Sequence, residues 1–151
     1  MIFRAACVLL LTFMGSTGEA QTKDGLKSLV PLIELYRADA KPQPGFDVGG
    51  IRCAGFYTAQ LDWAQEHGLR KPSAKALKDV ELHLARAEIY RQKQGQSVTK
   101  AYKSTLDDVQ RVIKLYTAHF AKRVAAGKHP WEGDPLLHGD SAYCGFLGKG
   151  N

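Results

Sequence analysis

SVTKAYKSTLDDVQRVIKLYTAHFAKRVAA, residues 97–126, is the stretch that decides the fold. Ser97 stands where a helix N-cap belongs, its hydroxyl placed to accept from a first-turn N–H. Tyr102, Leu106, Val109, Ile113, Tyr116 and Phe120 then recur at three- and four-residue intervals, the spacing of one face of an α-helix. Gly127 follows, the residue that most readily takes the left-handed conformation closing such a helix.

Upstream the pattern repeats. Ser73, after Pro72, opens a helix ending near Gln94, with Leu77, Val80, Leu84 and Ala87 as its seam. The Gly95-Gln96 turn is too short for anything but an antiparallel hairpin with the long helix. Before that, a helix from about Gly50 to His67 carries Cys53, Ala54, Tyr57, Leu61 and Ala64 on one face. Phe56 and Trp63 lie off that face, so this helix is apolar most of the way round and belongs in the centre. Phe46 to Gly50 reads as loop, and Gly68 as the helix's left-handed cap. A first helix is expected from Ser28 to about Ala40, with Pro31 in its first turn and Leu29, Leu32, Ile33 and Tyr36 as its stripe. The tail from Lys128 is turn-rich, and Asp140 is placed to cap one last short turn, Ser141 to Leu147. No period-2 run of β-branched residues is long enough for a strand. The expected fold is all-α, a small four-helix up-down bundle with a C-terminal tail stapled to it by one disulfide.

The disulfide follows from the N-terminus. Arg4 precedes ten apolar residues, Ala5 to Met14, and small residues at Gly18 and Ala20 frame a cut before Gln21. That is the three-part pattern of a secretory signal peptide over residues 1–20, too short in its apolar part to span a bilayer. The alternative is an amphipathic or buried first helix. Removal of Arg4 and Glu19 together leaves the net charge at +6. The chain from 21 to 151 is then a single helical domain, periplasmic or secreted, with two cysteines, Cys53 and Cys144. In an oxidising compartment an even pair suggests one bond, the alternative being two buried thiols. In the chain-entropy account, closing a loop of about 90 residues removes roughly 4–5 kcal/mol of denatured-state freedom.

Recognisable chemistry is sparse. Residues 1–151 contain no nucleophile elbow, P-loop or dinucleotide fingerprint. Paired cysteines cannot serve as a thiolate. No cofactor is implied. His67, His83 and His119 are lone histidines. The tail is denser, and His129, Asp134 and His138 could hold a divalent ion, although their spacing matches no zinc signature and a polar turn region explains them better. Trp131 suits either an interface anchor or a ring folded back on the bundle. From Val109 to Trp131 there are five cations, Arg111, Lys114, Lys122, Arg123 and Lys128, and no acid. Such a field attracts an anionic envelope component or an acidic protein. Complementing the helix dipole is the competing explanation. Nucleic acid is a poor candidate, since no aromatic residues interleave with the basic ones.

Arg52-Cys53-Ala54-Gly55-Phe56-Tyr57, with Asp140-x-x-x-Cys144-x-x-Leu147 far downstream, resembles a pattern in small exported helical proteins of proteobacteria. The resemblance implies a periplasmic helical domain with its C-terminal cysteine tied to the helix bearing Cys53, and carries no activity with it. The reading is therefore an exported, non-enzymatic protein that binds a protein or envelope component. The alternatives are an immunity-type inhibitor of a secreted toxin, and a metal binder or unfamiliar enzyme using the tail.

Overall fold

The computed structural model describes residues 26–32, 46–69 and 74–148. The expected signal peptide, the expected first helix beyond Leu32, and the Pro72-Ser73 start with the side chain of Leu77 lie outside the described residues. Within them the chain is all-α, with four helices and no strand: α1 Phe46–Glu66, α2 Ala74–Lys93, α3 Val98–Ala125 and α4 Pro135–Gly148. No helix is long and apolar enough to cross a membrane among the described residues.

Three boundaries differ from expectation. Ser28 to Pro31, expected to open the first helix, are not helical. The helix expected to begin at Gly50 begins at Phe46, so Gly49 and Gly50 are helical. Glycine costs a helix about 1 kcal/mol against alanine, but here space decides: a Cβ on Gly50 would sit 2.9 Å from the carbonyl oxygen of His83 on α2. The tail forms a 14-residue helix rather than one short turn. Its cap is Asp134, whose Oδ1 accepts from Leu137 N–H at 3.1 Å, with Pro135 at the first helical position, where a missing N–H costs little. Asp140 therefore does not cap this helix. It lies mid-helix and fully buried.

α1 is the centre, packed against the other three helices, and Val48 to Phe56 are buried without a break. The close approach of α3 is made at Gly55, where a Cβ would meet Val112 Cγ1 at 2.4 Å. That contact rotates α3 from its expected face. Ala101, Thr105 and Val112 are buried with Val109, Tyr116 and Phe120, while Leu106 and Ile113 are half-buried and Tyr102 is 53% exposed. α2 turns the same way, burying Ala76, Asp79, His83 and Ala87 and leaving Val80 and Leu84 on the flank. Arg91 fastens the end of α2 to its neighbours, reaching Asp47 on α1 at 2.8 Å and Asp108 on α3 at 2.6 Å. Ser97 caps α3 as expected, accepting from Lys100 N–H at 3.3 Å. Cys53 and Cys144 are bonded, with Cα atoms 5.4 Å apart, and tie α4 to α1.

Candidate functional site

Three features bear on function: a buried polar knot under α4, the cationic end of α3, and a cleft beside Trp131.

The knot surrounds the disulfide. Arg52 precedes Cys53 on α1, and Asp140 lies one turn before Cys144 on α4. Both side chains are fully buried, with Arg52 Nη2 2.6 Å from Asp140 Oδ2. Tyr116 of α3 closes the triangle: its hydroxyl accepts from Arg52 Nε at 3.0 Å and donates to Asp140 Oδ2 at 2.5 Å. The second Asp140 oxygen accepts from Leu32 N–H at 2.8 Å, and Arg52 Nη1 donates to the Ser28 carbonyl at 3.4 Å. Burial pushes the Tyr116 hydroxyl well above its ordinary range, which keeps it a donor. Burial opposes the Arg52 charge, but Tyr116 and Asp140 outweigh it and raise its pKa further. No face of this cluster is open to solvent, so it acts as structure. It gathers Arg52, Cys53, Asp140 and Cys144, four residues of the pattern on which the resemblance rests.

The five cations of the 109–131 stretch divide. Arg123 is 12% exposed and engaged in full: Nη1 reaches Asp134 at 2.7 Å, Nε the His129 carbonyl at 2.9 Å, and Nη2 the Glu132 carbonyl at 2.7 Å. It braces the α3–α4 loop. Arg111 is exposed but paired with Asp108 at 2.7 Å. Lys114, Lys122 and Lys128 are exposed and ion-pair with no described residue. α3 has 28 residues against 21 and 20 for α1 and α2, about 42 Å against 30 Å at 1.5 Å per residue. Its last buried residue is Phe120, and beyond it every residue to the helix end except Arg123 is exposed.

The histidine-rich tail does not assemble a metal centre. Asp134 is committed to Arg123, to His119 Nε2 at 2.9 Å and to the N-cap bond. Burial raises its pKa, but those hydrogen bonds and the neighbouring charges outweigh burial and lower it. His129 Nδ1 accepts from Glu132 N–H at 3.0 Å, and His138 stands exposed on α4. Among the described residues no three His, Cys, Asp or Glu side chains form a set able to hold a metal ion. Asp134 is already neutralised by arginine, and the loop needs no ion to hold its shape. His67 stacks on Trp63 with centroids 4.1 Å apart. His83 is fully buried, and neither ring nitrogen has a partner among the described residues.

The cleft, about 320 Å³, lies between α1, the α3–α4 loop and α4. Its lining takes in Trp131, Gln60, Glu132, His138 and Ser141, with Phe56 and Leu137 almost wholly buried beneath them. Trp131 is half-buried and meets Phe120 edge-on at 5.6 Å, so the ring folds back on the bundle. Sequence reasoning missed Gln60, which lacks a charge or a spacing signal. It also missed Arg52, Tyr116 and Asp140 as a unit, because they lie on three helices. No family model, curated protein or solved structure matches the chain.

Proposed function

We propose that the chain is an exported, non-enzymatic helical protein that binds an acidic surface, of a protein partner or an envelope component, through the outer face and exposed end of α3. The observation that carries this reading is the triplet Lys114, Lys122 and Lys128, exposed and without ion pairs to described residues, on a stretch with no acid between Asp108 and Glu132. Lysines serving only the helix dipole would belong in the last turn. Lys114 lies two turns earlier, and Arg123 already neutralises the loop. Export is supported by the N-terminal pattern over residues 1–20 and by the disulfide, which suits an oxidising compartment.

The test is co-sedimentation with vesicles of mixed phosphatidylglycerol and phosphatidylcholine, and pull-down of acidic periplasmic proteins, each at low and high salt. Binding should fall steeply as salt shortens the screening length. It should be lost in a Lys114→Glu/Lys122→Glu/Lys128→Glu variant whose helix content and thermal midpoint are unchanged. Arg123 is excluded from the set, because reversing it unbraces the loop. Retained binding in that folded variant would refute the reading.

A further inference from the structure

We infer, resting on the lysine-face reading above, that the acidic surface met by α3 is an anionic phospholipid bilayer, on which the protein adsorbs without inserting.

Helix geometry defines the face. At about 100° per residue, Arg111, Lys114, Ala118, Ala121, Lys122 and Ala125 fall within one sector of α3 about 100° wide, and all six are exposed. The sector points away from α1, because the buried residues of the same turns, Val112, Tyr116 and Phe120, lie on the opposite side. It runs about 21 Å along the axis. Asp107 and Asp108 bound it at one end and Glu132 at the other, with no acid between Asp108 and Glu132. Arg111 is taken by Asp108 at 2.7 Å. Lys114, Lys122 and, just past the helix end, Lys128 carry the outward charge.

Composition selects the occupant. The centre of a protein–protein interface is enriched in aromatic residues, methionine and arginine, and depleted in lysine and alanine. This face is lysine and alanine. Its neighbouring arginines are engaged within the fold, Arg111 by Asp108 and Arg123 by Asp134, and no aromatic residue falls in the sector. A partner protein would have to strip water from ammonium groups and gain little apolar area in return. A bilayer asks for neither. Its headgroups are fluid, so the charges need no fixed geometry, and a strongly hydrated ammonium gains from the negative surface potential while keeping its water. Val124, 47% exposed, is the large apolar side chain of this half, and it lies about 110° from the centre of the sector. No described helix is long and apolar enough to cross a membrane, so the contact is electrostatic.

The test is partitioning of the disulfide-bonded protein onto phosphatidylcholine vesicles of increasing phosphatidylglycerol content at low salt. Partitioning should be absent on pure phosphatidylcholine and rise steeply with the anionic fraction. Phosphatidylserine at equal mole fraction should serve equally well, because charge is read and not the headgroup. Lys114→Gln, Lys122→Gln and Lys128→Gln should each weaken partitioning about fivefold, and the triple variant about 100-fold. The triple arginine variant, which keeps the charge, should bind at least as tightly as the native protein. Lysine-dependent capture of an acidic periplasmic protein, with no partitioning onto any vesicle, would overturn the lipid assignment and leave the broader reading standing. A strong preference for one anionic headgroup at equal charge would overturn adsorption by charge alone. Partitioning that survives in the folded triple glutamine variant would overturn both this inference and the reading beneath it.

Discussion

His83 gives this fold an acid limit of calculable size. Its ring is fully buried between α1 and α2, lying over Tyr57 with centroids 6.4 Å apart, and neither nitrogen is partnered among the described residues. The charged groups around it are Asp79, Lys75 and Arg86, all on α2. The one carboxylate is already held by Lys75 at 2.6 Å, and Arg86 is turned to the Leu147 carbonyl of α4. An imidazolium formed there would gain little. Burial depresses the pKa, with Arg86 and Lys75 adding to it and Asp79 opposing, from 6.5 to about 4. Above pH 6.5 the ring is neutral in both folded and unfolded chains and pH has no effect through it. Between 6.5 and 4 the unfolded chain takes a proton that the folded one refuses, so stability falls by up to about 1.4 kcal/mol per pH unit. Below 4 both states are protonated and the loss levels off, at roughly 3 kcal/mol in total. The perturbation is His83→Leu, of similar volume and unable to titrate. The assay is urea unfolding by circular dichroism at pH 7, 6, 5 and 4 with the disulfide intact. The variant should exceed the native protein by about 1–3 kcal/mol at pH 7, since it removes an unpaired donor and acceptor from the core. That margin should widen by roughly 3 kcal/mol by pH 4. Taking the difference between the two proteins removes the carboxylates, including Asp47 and Asp134, from the comparison. A margin that stays constant with pH would refute the reasoning.

Removing one member of the knot should cost far more than replacing both. Asp140→Ala strands the buried Arg52 guanidinium and the Leu32 N–H and should destabilise by about 3–5 kcal/mol in urea unfolding, whereas Arg52→Met/Asp140→Leu should come within about 1–2 kcal/mol of the native protein. Cys53→Ser and Cys144→Ser should each cost about 2–5 kcal/mol by the same assay, and the double variant no more than either, because one bond is lost in all three.

Fold class, the α3 cap, the central position of α1 and the pairing of Cys53 with Cys144 were legible in the sequence because each follows from a local signal or a count. The buried faces were read in part: Val109, Tyr116 and Phe120 on α3 and Ala87 on α2 are buried as expected, and the rest of each face lies one residue away. Periodicity points to the largest apolar side chains, Tyr102, Leu106 and Ile113 on α3 and Val80 and Leu84 on α2. The line of closest helix approach instead needs small ones, such as Gly50 and Gly55 on α1 and Ala101 on α3, and the large side chains pack along its flanks. The tail helix was missed for a related reason. Pro135 and Gly139 read as turn residues, but Pro135 sits at the first helical position, and a Cβ on Gly139 would meet open space, so that glycine needs no turn to explain it. The lysine face was visible as a charge run, but nothing in the sequence distinguished Arg123, which braces the loop, from Lys122, which does not.

The placement of the knot next to the disulfide has a consequence for how α4 is seated. A disulfide fixes where two residues meet and leaves rotation about the joined helices to packing. α4 brings little packing of its own: Leu137 and Cys144 are its fully buried apolar side chains, and Gly139 and Gly145 add none. Asp140 supplies the missing constraint. It precedes Cys144 by four residues, so it lies on the same face of α4, one turn away. Arg52 is the immediate neighbour of Cys53. When the bond places α4 against α1 in the native orientation, Asp140 meets Arg52, Tyr116 and Leu32 N–H together, three contacts that come from α1, α3 and the N-terminal segment. Rotating α4 by one residue, about 100°, would carry the carboxylate away from all of them while Arg52 stayed buried, the same uncompensated charge that makes Asp140→Ala so costly. The ion pair therefore adds little to stability beyond what two apolar residues of equal volume would give. Its effect is on orientation: with the covalent bond setting proximity, it penalises every seating of α4 but one.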